Sequence, residues 1–291
     1  MAPSPVIEAV ASQLGPGDEL LVICDAETDP VAATAEEHDG VRLLVAGEPD
    51  ACSGKANAIA TGMEAATNER LVWTDDDFHH PATWLNDLHD AYERKGPVAE
   101  LPFFVGRDWL STLLEPNYAL GGTLGAYQSE KAWGGAVMFE RQDIDEDAFL
   151  HDLRRTVSDD GLLSEYLDVT PLKRVRRVEV GGTIRETLER HVRFTQIVHR
   201  HGENDILFMG VVSVITAVCC LAFPLYAAAA ATAFFAGLYA FFGVRRWTFL
   251  LAYPAMLAQL PLMGYALARR TFVWGGRRYR WRSKFDVEIV E

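Results

Sequence analysis

A long stretch without any charged side chain constrains this chain more than any other feature. It covers residues 206–244 and is interrupted only by Pro224. Because a helix of about 20 residues crosses a bilayer, the stretch is too long for a single span. Pro224 divides it into halves that are each barely long enough, so we expect a membrane hairpin with helices over 206–223 and 225–242. The alternative is a buried hairpin in the core of a soluble protein.

A third apolar stretch, residues 248–268, is interrupted by Pro254 and Pro261. The hairpin would return the chain to the cytoplasm, where Arg245 and Arg246 satisfy the positive-inside rule. A full third crossing would carry the Arg-rich tail to the outside, against that rule. We therefore expect a re-entrant or interfacial segment up to residue 268, followed by a basic cytoplasmic tail over 269–291. This predicts a multi-pass cell-membrane protein with its soluble part in the cytoplasm.

Acidic side chains dominate the sequence before the apolar stretch. The whole chain has a formal net charge of −14. Because the C-terminal tail is basic, the first 205 residues taken alone have a still more negative net charge. Phosphate backbones require a basic surface, so nucleic acid is excluded as a partner. Most of the basic residues are Arg, a bias that favours a halophilic protein in a high-salt cytoplasm. An ordinary acidic protein is the alternative.

Strand and helix patterns alternate through the acidic region. Apolar runs at 20–24, 41–45 and 70–74 predict buried strands, and helical spacing follows at 55–67 and from Trp84 to Tyr92. This alternation predicts an α/β fold with a mostly parallel sheet and helices on both faces. Ligands bind such sheets at the carboxyl ends of the strands, which is where Asp25 and the Asp75-Asp76-Asp77 triplet stand.

Three groups of polar residues are candidates for the chemistry. Asp75 and Asp77 could hold Mg²⁺ or Mn²⁺ on the phosphates of a nucleotide sugar, although a solvated acidic loop would have the same pattern. Asp159 and Asp160 follow Ser158, a residue that caps helices, and one carboxylate could serve as a base; capping alone is the alternative.

Arg190 and Arg193 form the third group, just before the membrane stretch. They could neutralise a leaving diphosphate, or they could meet anionic lipid headgroups. Lys55 stands in a segment similar to part of a phosphate-binding loop, without the full Walker pattern. His79 and His80, after the acidic triplet, are interpreted as surface polar residues, with a ligand role for one of them as the alternative.

These segments together resemble glycosyltransferase family 2 and its ceramide glucosyltransferase-like relatives. The order of the motifs along the chain carries the resemblance. They are Cys24-Asp25 to Pro30, Gly54-Lys55-Ala56-Asn57-Ala58, Thr74-Asp75-Asp76-Asp77 with Pro81 and Trp84-Leu85, Trp133-Gly134-Gly135-Ala136, Asp159-Asp160, Arg190-His191-Val192-Arg193-Phe194 and Val273-Trp274-Gly275-Gly276-Arg277-Arg278-Tyr279.

The resemblance implies a GT-A catalytic domain over residues 1–205 and an inverting transfer of a hexose. The donor would be a nucleotide sugar, with a UDP-hexose favoured, and the acceptor a lipid or polyprenyl phosphate in the membrane. By resemblance, Asp75 and Asp77 hold the metal and Asp160, beside Asp159, is the base. The same resemblance assigns donor binding to a larger set: Asp25, Lys55, Asp75, Gly134, Gly135, Arg190 and Arg193.

One departure from the family pattern concerns the first strand. Residues 5–14 already resemble the first helix, so the apolar strand that precedes it in the family is missing. We therefore expect a groove beside the strand that ends at Cys24, and a native gene product that begins upstream of Met1. The alternative function is a decayed, non-enzymatic membrane scaffold of the same fold. A polymerising synthase is disfavoured because the membrane part has too few helices for a polymer channel.

Overall fold

The computed structural model describes residues 5–36, 38, 40–202 and 205–290, without the side chains of Pro5 and Glu36. The chain divides into two compact units. The first comprises Met1–Glu100, Glu130–Leu172 and Lys284–Glu288, and the second comprises Leu101–Ser129, Lys173–Ser283 and Ile289–Glu291. These compact units are not the same as the predicted functional domains, whose bounds at residues 205 and 268 stay predictions.

The elements are numbered along the chain. The strands are β1 (Leu20–Cys24), β2 (Val41–Val45), β3 (Arg70–Thr74), β4 (Val98–Gly106), β5 (Ala136–Glu140), β6 (Thr170–Val180), β7 (Thr271–Trp274), β8 (Arg277–Ser283) and β9 (Asp286–Val290). The α-helices are α1 (Pro5–Ala11), α2 (Pro30–Glu36), α3 (Gly54–Ala65), α4 (Trp84–Lys95), α5 (Trp109–Leu113), α6 (Glu115–Tyr118), α7 (Gly125–Gln128), α8 (Glu146–Leu153), α9 (Asp159–Tyr166), α10 (Ile184–His201), α11 (Asp205–Ala222), α12 (Pro224–Phe241) and α13 (Ala252–Ala268). A π-helix covers Ala119–Leu124, and 3₁₀ turns cover Arg141–Asp143 and Trp247–Leu251.

The first unit is an α/β structure, as predicted. β1 and β2 form a parallel pair, in register from Leu20 opposite Val41 to Cys24 opposite Val45. β5 lies between β3 and β4 and runs antiparallel to both. The predicted strands at 20–24, 41–45 and 70–74 are confirmed. The reversed direction of β5 was not predicted, because an apolar run indicates a strand without indicating which way it runs.

The helices of the first unit bury their apolar sides against these strands. α3 begins where Ser53 accepts a hydrogen bond from the backbone N–H of Ala56, which caps the helix. α4 buries Trp84, Leu85 and Leu88, the residues whose spacing predicted a helix. α4 ends at Gly96, whose φ of 74° suits glycine best.

A cavity of about 350 Å³ lies inside the first unit, beside β1. Its lining includes Leu20, Leu21 and Ile23 of β1 and all five residues of β3. The expected groove beside the strand that ends at Cys24 is therefore present.

The second unit contains the three apolar helical stretches. α11 and α12 coincide closely with the predicted hairpin, and Pro224 is the first residue of α12, where its missing N–H breaks no helical bond. Many large apolar side chains on these helices are exposed, including Leu207, Leu221 and Leu225. Lipid is the solvent that suits such a surface. Three helical stretches in the described part of the chain are long and apolar enough to cross a membrane, the third being Trp247–Ala268.

The third stretch is more regular than the sequence suggested. Its helix α13 continues from Ala252 to Ala268 with Pro261 inside it. The two prolines therefore do not break the segment, since a helix tolerates a proline where neighbouring groups satisfy the freed carbonyl. Whether it crosses the membrane or lies at its surface stays a prediction.

The second unit also contains a helical segment that the sequence analysis missed, residues 109–128. It packs against α13 and the Trp247–Leu251 turn. Its anchor is Glu115, which is fully buried and accepts hydrogen bonds from Nε and Nη2 of Arg246 at 2.8 and 2.7 Å. Thr248 Oγ1 donates to the same carboxylate at 2.5 Å, and the backbone N–H of Gly106 donates at 2.9 Å. All of these donors are needed because a buried carboxylate is costly unless it is fully hydrogen-bonded.

We expect Arg246→Met to destabilise the second unit by about 3 kcal/mol, because it leaves the Glu115 carboxylate buried without its cation. Thermal unfolding of the detergent-solubilised protein measures the effect. The matched control is Arg245→Met, a substitution at the exposed neighbouring position. Equal melting temperatures for the two variants would contradict the prediction.

Candidate active site

Lys55 joins two carboxylates that come from distant parts of the chain. Its Nζ lies 2.7 Å from Oδ1 of Asp75 and 3.2 Å from Oδ2 of Asp159. Lys55 is the second residue of α3, Asp75 directly follows β3, and Asp159 is the first residue of α9. The carboxyl end of β3 and the N-termini of two helices therefore meet at one ammonium group. The sequence analysis had singled out all three residues without predicting that they would form ion pairs.

Burial and charge act in opposite directions on this cluster. The side chain of Asp159 is only 4% exposed, and this burial raises its pKa to about 6 although Lys55 lowers it. Burial disfavours the ammonium of Lys55, but the charges of Asp159 and Asp75 outweigh that effect and raise its pKa above its usual range. The ammonium group of Lys55 therefore lies between two carboxylates, and their charges favour its protonated form.

The glycine pair leaves room for these two carboxylates. A Cβ on Gly134 would lie 2.4 Å from Oδ2 of Asp159, and a Cβ on Gly135 would lie 2.7 Å from Oδ2 of Asp75. The Gly135 carbonyl accepts a hydrogen bond of 3.1 Å from the backbone N–H of Asp75. The pair is needed because a side chain at Gly134 would displace the Asp159 carboxylate, and one at Gly135 would lie 2.4 Å from the Trp133 ring and also press on the Asp75 carboxylate.

Asp160 differs from its buried neighbour Asp159. It is half-buried, and its Oδ1 accepts hydrogen bonds of 2.8 Å from Ser158 Oγ and from the backbone N–H of Gly161. Ser158 caps α9, as its position in the sequence suggested. Both interpretations of this segment are therefore compatible with the structure: the carboxylate supports the helix N-terminus, and it remains partly accessible to a ligand.

Asp77 has the properties of a carboxylate that can gain a cation. The surface area of its side chain is exposed to solvent, yet enough protein atoms surround the carboxylate to desolvate it in part. That desolvation, and then the charges of Asp75 and Asp76, raise the pKa of Asp77 to about 6. Within the described ranges no three His, Cys, Asp or Glu residues come close enough to hold a metal by themselves. Two carboxylates fit a divalent cation whose remaining ligands are phosphate oxygens and water.

Residues that the sequence analysis did not select hold the cluster in position. The backbone N–H of Ser53 donates to the Thr156 carbonyl at 3.0 Å, and Ser53 Oγ donates to the Val157 carbonyl at 2.8 Å. These bonds tie the start of α3 to the segment before α9. Arg154 adds a hydrogen bond of 2.7 Å to Oδ1 of Asn57 on α3. One sequence feature could have identified Ser53: it stands directly before Gly54-Lys55, and serine is a residue type that caps helices.

Asp25 and the two histidines after the acidic triplet lie at the ends of β1 and β3. Asp25 is half-buried and directly follows β1, at the carboxyl end of that strand, as predicted. The interpretation of His80 as a surface residue was wrong, whereas His79 is exposed. His80 is buried, its Nε2 lies 2.6 Å from Oγ1 of Thr74, and its ring packs against Trp84. It therefore packs at the end of β3.

Arg190 and Arg193 lie on α10 in the second unit, among aromatic rings. The guanidinium carbon of Arg190 lies 4.1 Å from the ring centre of Phe104 and 4.3 Å from that of Phe194. The guanidinium carbon of Arg193 lies 4.0 Å from the ring centre of Trp274. Cation–π contacts of this kind hold both side chains in place. The structure thus brings together two motifs that are separate in the sequence, around Arg193 and Trp274.

Comparison with known proteins gives one family. Residues 4–143 match the family model described as Glycosyl transferase family 2. The match includes Asp25, Lys55, Asp75, Gly134 and Gly135 and ends before Asp159. No curated protein matches the chain. The resemblance to this family is confirmed over the matched range, while the likeness to ceramide glucosyltransferases stays a prediction.

We expect Gly134→Ala to disrupt the cluster, because the added methyl group overlaps the carboxylate of Asp159. Overpacking of this kind costs about 1–3 kcal/mol. The control is Gly121→Ala, where the added Cβ meets nothing within 4 Å. Differential scanning fluorimetry of both variants checks the prediction, and a Gly134→Ala protein as stable as the control would contradict it.

We expect the stability of the second unit to fall as the pH drops from about 6.5 towards 4. Burial, and then the charge of Arg190, lower the pKa of His191 to about 4. The neutral imidazole therefore contributes fully above the unfolded pKa of about 6.5, and about 3 kcal/mol is lost once the pH has fallen through the folded value. His191→Asn should remove this dependence, whereas His199→Asn, at an exposed position on the same helix, should keep it. Unfolding curves measured from pH 4 to 8 decide between these outcomes.

Proposed function

We propose that this chain, which carries a glycosyltransferase family 2 domain over residues 4–143, is an inverting membrane-bound hexosyltransferase. It moves a hexose from a nucleotide sugar, with a UDP-hexose favoured, to a lipid or polyprenyl phosphate. The main observation in support of this proposal is that Lys55, Asp75, Asp159 and the glycine pair lie together at the carboxyl end of β3. Ligands of α/β sheets bind at such strand ends.

Donor binding follows from the chemistry of these side chains. Lys55 is a half-buried cation that would contact the diphosphate, and Asp25, at the end of β1, would hydrogen-bond the nucleoside. The absence of side chains at Gly134 and Gly135 keeps the carboxylates of Asp159 and Asp75 in the positions that the proposal needs.

Asp75 and Asp77 would hold the Mg²⁺ or Mn²⁺ ion on the donor. Their oxygen atoms suit a hard cation, and the two acids belong to one run of three carboxylates, Asp75 to Asp77. When bound, the ion supplies positive charge to the diphosphate. Lys55 already neutralises Asp75 in part, so the ammonium and the metal would share one acidic cluster.

Asp160 is the proposed base of the transfer. It takes the proton of the acceptor hydroxyl as that oxygen bonds to the anomeric carbon, and the bond from this carbon to the diphosphate oxygen breaks on the opposite face. The difference between the two acids supports this assignment, because Asp159 is buried in its ion pair with Lys55 whereas Asp160 is half-buried. Asp159 then orients Lys55 beside the donor. Arg190 and Arg193, fixed by aromatic rings, are proposed to stabilise the leaving nucleoside diphosphate.

The apolar helices support a membrane-borne acceptor. α11 and α12 expose large apolar side chains along their length, which suits lipid contact. An enzyme with such an anchor works next to the bilayer, where lipid hydroxyls and polyprenyl phosphates are concentrated. The proposed orientation keeps the acidic first unit in the cytoplasm, where nucleotide sugars are made.

We expect Asp160→Asn to lower turnover about 10²-fold or more while nucleotide-sugar affinity is retained, because the amide cannot accept the proton. Transfer of radiolabelled hexose to extracted membrane lipid measures turnover, and calorimetry with the UDP-sugar measures binding. The control is Asp168→Asn, an exposed acid just after α9. Near-normal turnover of Asp160→Asn would refute the assignment.

We expect Asp77→Ala to weaken Mn²⁺-dependent nucleotide-sugar binding about tenfold or more, and chelation to add little to the mutant's defect. The two perturbations are non-additive because they remove the same interaction. Asp76→Ala, the exposed neighbour, is the control and should respond normally to chelation. Full activity in excess chelator would overturn the metal role, and a wild-type protein without any affinity for nucleotide sugars would favour the non-enzymatic scaffold.

A further inference from the structure

Two tryptophans are exposed on neighbouring elements of the second unit. All seven tryptophans of the chain lie within the described residues, and five of them are buried or half-buried. The other two, Trp109 and Trp247, are 65% and 60% exposed. Trp109 is the first residue of α5, and Trp247 begins the 3₁₀ turn that packs against this helix. Apolar surface of this size is unfavourable in water, so its position indicates contact with an apolar or amphipathic partner.

The helical segment that begins at Trp109 presents no charge to its surroundings. Glu115 is the one charged residue among residues 109–128, and its side chain is fully buried. The exposed residues of the segment are Trp109, Leu120, Gly121 and Gln128. Charged residues make up 23% of the whole chain, so a water-exposed segment of this length would be expected to carry several of them. The surface of the segment therefore suits an environment less polar than water.

Cations lie at the same end of α12 as these tryptophans. Phe241 is the last residue of α12, and Nζ of Lys173 on β6 lies 3.7 Å from the centre of its ring. Arg245 follows and is exposed, and its neighbour Arg246 holds the helical segment at this end of α12 through the ion pair with Glu115. Tryptophan, lysine and arginine at one end of an apolar helix are typical of the boundary between lipid and water.

We propose that residues 109–128 and the Trp247–Leu251 turn form an interfacial surface, which lies in the headgroup layer of a lipid bilayer. The two tryptophan rings lie at the level of the headgroups, and Lys173 and Arg245 contact lipid phosphates. Indole suits this level because its ring is apolar while its N–H finds hydrogen-bond acceptors there. The surface fixes the tilt and rotation of the second unit, which apolar helices alone leave undetermined. This inference rests on the proposed membrane anchor and not on the proposed reaction.

Quenching of tryptophan fluorescence by brominated lipids tests the interfacial surface in the full-length protein. Nanodiscs of phosphatidylcholine and phosphatidylglycerol carry bromine on the acyl chains, either close to the headgroup or close to the bilayer centre. The helices α11, α12 and α13 contain no tryptophan, so they add no signal. We expect stronger quenching by bromine close to the headgroup. Trp109→Phe and Trp247→Phe should each remove roughly half of this quenching, because the two rings share it.

The matched control is Trp281→Phe, a substitution at a buried position in β8, and it should leave the quenching unchanged. If Trp247→Phe lowers the quenching and Trp109→Phe does not, the helical segment lies away from the bilayer, and the inference is overturned while the membrane anchor stands. Stronger quenching by bromine at the bilayer centre would place the rings in the hydrocarbon and would also overturn it.

Aqueous iodide separates the remaining occupants of the surface. A Trp109 ring that neither brominated lipid nor iodide quenches would be covered by protein, such as a second copy of this chain, and one that only iodide quenches would face water. Both results would overturn the inference. A protein that fails to enter the nanodiscs at all would contradict the membrane anchor as well, so failure of the anchor and failure of the interfacial surface are distinguishable.

Discussion

The candidate site depends on one ammonium group shared by two carboxylates. Without Lys55, Asp75 and Asp159 would repel each other across a poorly solvated space, whereas its ammonium group joins the end of β3 to the start of α9. The other features serve this arrangement. The glycine pair makes room for the carboxylates, and the cap at Ser53 fixes the helix that carries the lysine.

Much of the fold could be predicted because its signals are local. Five consecutive apolar residues predict a strand such as β1, and a charge-free stretch with a proline in the middle predicts the α11–α12 hairpin. The cap at Ser158 is local as well, since it involves residues two and three positions away. The family motifs extended this knowledge to Lys55, Gly134 and Gly135, whose residue types alone carry little information.

The rest depended on contacts between distant residues, which no local pattern records. Lys55 and Asp159 are more than 100 positions apart, so their ion pair could not be deduced from either segment. His80 appeared to be a surface residue because acids precede it, yet Trp84 and Thr74 enclose it. Residues 109–128 were overlooked because glycines and polar residues interrupt their helical pattern, and a buried ion pair with Arg246 compensates for that weakness. In each case tertiary structure overrode the local sequence signal.

The ion pair of Glu115 with Arg246 has a consequence for the order in which the protein assembles. The two residues are separated by 131 positions, and the two apolar helices α11 and α12 lie between them in the chain. Glu115 leaves the ribosome first and must stay hydrated until Arg246 has been synthesised, because a carboxylate without its cation cannot enter an apolar interior. The helical segment around Glu115 therefore packs only after α11 and α12 have been synthesised. A chain whose synthesis stalls in α12 would expose this segment to the aqueous phase, where quality-control proteases can recognise it.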